Sequence, residues 1–258
     1  MSETQRIARR VLLTNDDGID APGLRVLQEI AAEIADDVWV VAPERDQSGT
    51  SHSISLHAPV RMSRRGERIF GVEGTPGDCV VMGVRHLMRD APPDLVLSGI
   101  NQGANLGTET VFSGTVGAAM AGMLLGIPSI GLSAAFVRGE PVHWETALAH
   151  GPAVLRRLSG MPWSPHACLN VNFPNVPPDQ AGPLTLTRQG RGPLDGIEVD
   201  GRIDPRQQDY FWIRLTRTPG TDLPDSEGAA VAAHRISVTP LRFERTDERT
   251  LRELRNCF

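Results

Sequence analysis

Val11-Leu12-Leu13-Thr14-Asn15-Asp16-Asp17-Gly18-Ile19-Asp20-Ala21-Pro22-Gly23 is the stretch that decides the fold. Its first four residues form an apolar run with no charge, as in a strand buried on both faces. Asn-Asp-Asp-Gly then ends the run with turn-forming residues. From Pro22 to Ala35 the apolar residues Leu24, Leu27, Ile30, Ala31 and Ile34 recur at helical spacing, so the whole segment reads strand, loop, helix.

The same alternation continues outward. Val38 to Ala42 reads as a second buried strand closed by Pro43, and Leu95 to Ser98 and Ser129 to Ser133 read as two more. Thr75-Pro76-Gly77-Asp78 offers a cap, a proline for the first helical position and an early carboxylate ahead of a helix over Val80 to Met88. Thr115 to Leu125 predicts a helix stopped by Gly126, Trp144 to Leu158 another helix, and Cys168 to Val171 a strand. Ser53 to Val72 breaks the pattern with short alternating stretches, an antiparallel excursion. Strands alternating with helices predict an α/β fold: a doubly wound, mainly parallel, Rossmann-like sheet forming a catalytic core over residues 1–182. Residues 183–258 read as an extended β-rich arm ending in a helix. It has β-like pieces at Leu184 to Thr187, Phe211 to Leu215 and Ile236 to Thr239, and a charged helix over Thr246 to Asn256. Pieces such as Phe211-Trp212-Ile213 need a partner surface, so the arm is expected to serve oligomerisation.

Composition removes several function classes. All 26 basic residues are Arg, against 31 acidic ones, for a net charge of −5 on 258 residues. A chain without lysine has no Schiff-base lysine, no P-loop lysine and no lysine to stabilise an aspartyl phosphate. A pI near 5.8 lacks the basic field of a nucleic-acid binder, so no nucleic-acid polymer is expected as main partner. The arginines between Arg188 and Arg217 are interleaved with Asp195, Glu198, Asp200, Asp204 and Asp209, which argues for an assembly surface or substrate rim. Cys79, Cys168 and Cys257 are odd in number and widely spaced, so they read as buried small hydrophobes in a reducing compartment. Met1 to Arg10 is polar and offers no signal peptide, making a cytoplasmic location the expectation. Thr110 to Val137 is uncharged, but Gly126 and Pro128 interrupt it, so it reads as buried helix, turn and strand with no membrane span.

In an open α/β sheet ligands gather beyond the carboxyl ends of the strands. Those positions are polar here: Asn15, Asp16 and Asp17 after the first strand; Arg45, Asp46, Gln47, Ser48 and Gly49 after the second; Asn101, Asn105 and Ser113-Gly114-Thr115 after the third. Adjacent carboxylates repel unless they share a proton or a cation. Oxygen ligands without His or Cys suit Mg²⁺ or Mn²⁺ better than Zn²⁺. Gly114-Thr115 opening a small-residue helix presents backbone N–H groups to an anion. The same residues also satisfy plainer readings, a turn with a capping acid and an ordinary helix cap.

Beyond the first stretch, Val-Ala-Pro-Glu-Arg-Asp-Gln-Ser-Gly (41–49), Gly-Thr-Pro-Gly-Asp-Cys-Val (74–80), Asp-Leu-Val-Leu-Ser-Gly-Ile-Asn-Gln-Gly-Ala-Asn-Leu-Gly (94–107), Ser-Gly-Thr-Val-Gly-Ala-Ala (113–119) and Asn-Val-Asn-Phe-Pro (170–174) follow in order. Together they resemble the SurE stationary-phase survival family, metal-dependent nucleotidases acting on nucleoside 5′- and 3′-monophosphates. The resemblance implies metal ligation by Asp16, Asp17, Ser48 and Asn101, with Asp16 and Asn101 catalytic. It implies phosphate contacts from Ser113, Gly114 and Thr115, joined by the nearby Asn15, Gly49 and Asn105. One divalent ion per subunit, Mg²⁺ or Mn²⁺, a nucleoside monophosphate substrate and a homodimer or homotetramer follow from it. The 217–235 segment resembles the family's arm only through Thr221-Asp222 and the later Ser237-Val238-Thr239-Pro240. The mechanism expected is direct attack by metal-activated water, without a phospho-aspartate. Two rivals remain: a haloacid-dehalogenase-type phosphatase, which needs two Asp separated by one residue and a later Lys or Arg, and a non-catalytic metal- or nucleotide-binding module. His52, following the Ser48 loop, is a candidate acid near the leaving group.

Overall fold

The computed structural model describes residues 6–218 and 223–257. Strand β1 (Ala8–Thr14) lies inside a nine-stranded sheet, and its Val11 to Thr14 are buried because helices cover both faces. Helix α1 (Pro22–Ile34) starts on Pro22 and buries the predicted stripe of Leu24, Leu27, Ile30, Ala31 and Ile34. Strand β2 (Ala35–Pro43) follows with no loop, because Ala35 both ends α1 by donating to Ala31 O and pairs with Ala8 of β1. The predicted excursion is β3 (Arg61–Arg64) and β4 (Ile69–Glu73), antiparallel to each other, with β4 parallel to β2 at one side of the sheet.

Helix α2 (Pro76–Met82) begins on the predicted capping box, in which Thr75 and Asp78 each accept the other's backbone N–H. It is shorter than the apolar pattern suggests, passing into a π-type turn over Gly83–Leu87. Then come β5 (Leu95–Gln102), α3 (Gly114–Leu124), β6 (Ser129–Ala134), α4 (Trp144–Ser159) and β7 (Cys168–Phe173). Strands β4, β2, β1, β5, β6 and β7 run parallel in that spatial order. The chain builds outward from β1 through β2 to one side, then returns to β5 and builds outward to the other. The crevice at the carboxyl ends of β1 and β5 is therefore the topological switch point. Helices α1 and α4 pack with Leu13 and Leu97 on one face, and α2 and α3 with Leu12 and Val96 on the other.

The C-terminal third divides differently from the extended arm predicted. Strand β8 (Gly182–Leu186) and, after the hairpin of β9 (Leu194–Ile203) and β10 (Asp209–Arg217) and the short helix α5 (Glu227–Ala232), strand β11 (Arg235–Leu241) both join the main sheet. β11 runs antiparallel to β7 and parallel to β8. Among the described residues, only β9 and β10 form a separate two-stranded sheet. Helix α6 (Glu248–Arg255) buries no residue, and Thr221-Asp222 lie outside the described residues. No helix among the described residues is long and apolar enough to cross a membrane. Cys79 and Cys168 are buried, and burial pushes the Cys168 thiol up to about 12; Cys257 is exposed, unlike the reading of all three as buried.

Candidate active site

Asp16 stands at the end of β1, 4% exposed, and abuts the start of α3. The Thr115 hydroxyl donates to Asp16 Oδ1. A Cβ on Gly114 would fall 2.7 Å from Asp16 Cβ, so glycine there is what lets the helix end approach the carboxylate. Ser113 caps the helix, its Oγ accepting from Val116 N at 3.1 Å. Asp17 is tied to the end of β5, where Gln102 N donates to its Oδ2 at 3.1 Å. Next to it Asn101 donates through Nδ2 to Gly103 O at 2.7 Å, which leaves the direction of its amide fixed and its Oδ1 as an acceptor. The loop after β2 is held to the same place: Gln47 N donates to Asp16 O at 2.7 Å and Ser48 N to Asp46 Oδ1 at 2.7 Å. Ser48 and Gly49 are exposed on that loop.

The surroundings disfavour charge on both carboxylates. Burial, with the Asp17 charge adding to it, pushes the Asp16 carboxyl up to about 6 against the opposing Thr115 hydrogen bond. Asp17 is raised as well, by burial first and then by Asp46. Asn15 donates through Nδ2 to Gly18 O at 2.8 Å, while its Oδ1 is buried with no hydrogen-bond partner. Two strained carboxylates beside amide and hydroxyl oxygens, with no nitrogen or sulfur donor, are a set that fits a hard divalent cation. Among the described residues no group of three or more His, Cys, Asp and Glu forms a cation site, so any ligand set must draw on Ser and Asn oxygens.

Asn105 stands apart from the other predicted phosphate contacts. It is buried, with Nδ2 donating to Ser133 Oγ at 2.8 Å, its backbone N–H to Asn172 Oδ1 at 2.8 Å and its carbonyl accepting from Asn170 Nδ2 at 2.8 Å. These bonds pin the 103–106 loop to the ends of β6 and β7. Asn170 and Asn172 thus hold that backbone in place, and two asparagines within the short strand Cys168 to Phe173 are the sequence signal for it. His52 is turned away from the acids. Its Nδ1 meets Ser51 Oγ at 2.9 Å, its Nε2 lies 3.0 Å from Met120 Sδ, and its ring tilts against Phe243. Burial first, and then Arg245, lower its pKa. Two arginines of the hairpin are paired, Arg214 with Asp200 at 2.8 Å and Arg217 with Glu109 at 2.6 Å.

Fold and site together define a doubly wound α/β protein in which two adjacent carboxylates at the end of β1 meet the N-terminus of α3 at the topological switch point. The chain belongs to the survival protein SurE family, whose description matches residues 11–195. It is 56% identical over 255 residues to 5′-nucleotidase SurE 1 of Burkholderia lata, covering 99% of this chain and 98% of that one. It is 50% identical to 5′-nucleotidase SurE of Bradyrhizobium sp. (strain ORS 278), covering 93% and 95%. The crystal structure of the SurE protein from Aquifex aeolicus superposes with a TM-score of 0.81 at 34% identity, over 96% of this chain and 99% of that one.

Proposed function

We propose that this crevice hydrolyses nucleoside 5′-monophosphates, and 3′-monophosphates with them, to nucleoside and phosphate with the help of one Mg²⁺ or Mn²⁺ per subunit. The observation that carries the reading is the contact between the Asp16 carboxylate and the N-terminus of α3, which sets cation ligands against a phosphate-binding helix end. The 5′-nucleotidase activity by which relatives at 50–56% identity are named supports it.

Asp16, Asp17, Ser48 and Asn101 are the residues that would hold the cation. Bound there, such an ion supplies positive charge to the phosphate oxygens and acidifies water. The rest is done by the chain. The first N–H groups of α3, at Gly114 and Thr115, and the Ser113 hydroxyl receive phosphate oxygens with the helix dipole behind them. Asn15 and Gly49 flank them from the β1 and β2 loops. Thr115 occupies one oxygen of Asp16, and the other takes the proton of the attacking water. With no lysine to stabilise a phosphorylated carboxylate, water attacks phosphorus directly as the bond to the ester oxygen breaks, and the departing nucleoside oxygen takes its proton from solvent. A cleft of about 770 Å³ opens beside Gln102-Gly103-Ala104, with Phe136 45% exposed on its wall, and offers room for the nucleoside.

Phosphate release from a panel of mononucleotides, with Mg²⁺ or Mn²⁺ and with chelator, tests the reading. Metal-dependent release is expected; no release with any nucleotide and metal would leave only the non-catalytic module.

The same proposal includes a homodimer or homotetramer. Cross-strand pairing puts Ile197, Val199, Ile203, Phe211 and Ile213 on one face of the hairpin, all exposed. An apolar face of this kind needs a protein partner. Phe211→Asp with Ile213→Asp is expected to lower the mass found by light scattering at micromolar concentration by at least a factor of two; an unchanged mass would move the interface elsewhere.

A further inference from the structure

Glu227 is a carboxylate with no exposed surface at the first position of α5, far in sequence from every residue of the crevice. Both of its oxygens are used on backbone. Oε1 accepts from Gly107 N and Oε2 from Gly190 N, each at 2.7 Å. A second clamp lies beside it: Gln189 Nε2 donates to Gly107 O at 2.7 Å and to Thr110 Oγ1 at 2.8 Å, and Thr108 N donates to Arg191 O at 3.1 Å. The fit leaves no slack, since a Cβ on Gly107 would stand 2.2 Å from Gly192 N. The 189–192 strap and the start of α5 thus grip the first residue of the 3₁₀ turn over Gly107–Val111.

That turn leads straight into the phosphate-binding segment. Thr110 Oγ1 donates to Gly107 O at 2.8 Å, Ser113 N to Thr110 O at 3.3 Å, and Gly117 N to Ser113 O at 3.0 Å. Each bond fixes the next, from the gripped glycine to the cap of α3. We propose that Glu227 is a positioning residue for phosphate: by holding Gly107 it sets where Ser113, Gly114 and Thr115 present their donors. The inference rests on the reading of 113–115 as the phosphate site. A carboxylate is suited to the task because it accepts on both oxygens, whereas an amide accepts on one and would turn an N–H₂ toward a backbone N–H. The carboxylates Asp16 and Asp17 hang from β1 and meet this segment only where Thr115 and Gly114 touch Asp16, so loosening the grip is expected to weaken phosphate binding more than Mn²⁺ binding.

The test compares wild type, Glu227→Gln and a core control, Leu155→Ala in α4, for Tm, Mn²⁺ half-saturation, KM and kcat for a nucleoside 5′-monophosphate, and binding of inorganic phosphate by equilibrium dialysis. Glu227→Gln is expected to weaken phosphate binding and raise KM by about 10- to 100-fold, as misplacement of binding groups does, with Mn²⁺ half-saturation within about twofold. Leu155→Ala should lower Tm and leave both constants in place. Unchanged phosphate binding in a folded Glu227→Gln, or an equal weakening in the control, overturns the inference. Should Glu227→Gln fail to fold, Gln189→Ala removes the neighbouring clamp and must shift phosphate binding in the same direction, or the inference falls. A wild type that binds phosphate but turns over no nucleotide refutes the proposed reaction and leaves the dialysis comparison to decide this point.

Discussion

Asp16→Asn is expected to lower kcat/KM for every nucleoside monophosphate by about 10³-fold, on the order of 4 kcal/mol, while the chain stays folded. Asparagine keeps an oxygen for the Thr115 hydroxyl, so the local packing survives, but it loses the charge that holds a divalent ion and the basicity that takes a proton. The same variant carries an opposite effect on stability. The folded state holds the Asp16 proton up to about pH 6, against 3.8 for an ordinary Asp. Its preference for the protonated form therefore stabilises the metal-free protein at low pH, and that contribution is lost as pH rises from about 4 to about 6. Above pH 6 the buried charge costs roughly 1 to 3 kcal/mol. Metal-free Asp16→Asn should melt higher than wild type at pH 7 and alike at pH 4. Full activity of the variant in chelator would end the case for a metal site, and a lower Tm at pH 7 would show that Asp16 is not strained.

Thr115→Val should reduce kcat/KM by about 10- to 150-fold, the value of a hydrogen bond of about 1.5 to 3 kcal/mol to a charged oxygen. Valine retains the shape and removes the hydroxyl that donates to Asp16 Oδ1. Without that donor the carboxyl rises further, so the acid limb of the pH–rate profile moves toward alkaline pH. Thr115→Ser should restore both rate and profile. Unchanged kinetics in Thr115→Val would reduce the residue to a packing position of α3.

Much of this was legible along the chain because its signals are local. The apolar run of Val11 to Thr14, the capping box of Thr75 and Asp78 and the stripe of Leu24, Leu27 and Ile30 each act within a few residues, and each folds as read. Where the reading slipped, a distant partner decided. Leu184 to Thr187 and Ile236 to Thr239 carry the same β pattern as Phe211 to Leu215, yet the first two pair with the core sheet and the third with β9. Strand propensity names no partner.

The sequence by itself determined the doubly wound order, the absence of any lysine chemistry and the set of polar loops that gather at one end of the sheet. Those follow from periodicity, turn residues and composition. Only the tertiary structure decided what each polar group does there. Thr115 meets Asp16 across 99 positions and Glu227 meets Gly107 across 120, while His52, near in sequence to Ser48, turns to Met120 instead. A hydrogen bond acts over about 3 Å, and which groups come that close is set by how helices and strands pack, at separations no local pattern encodes.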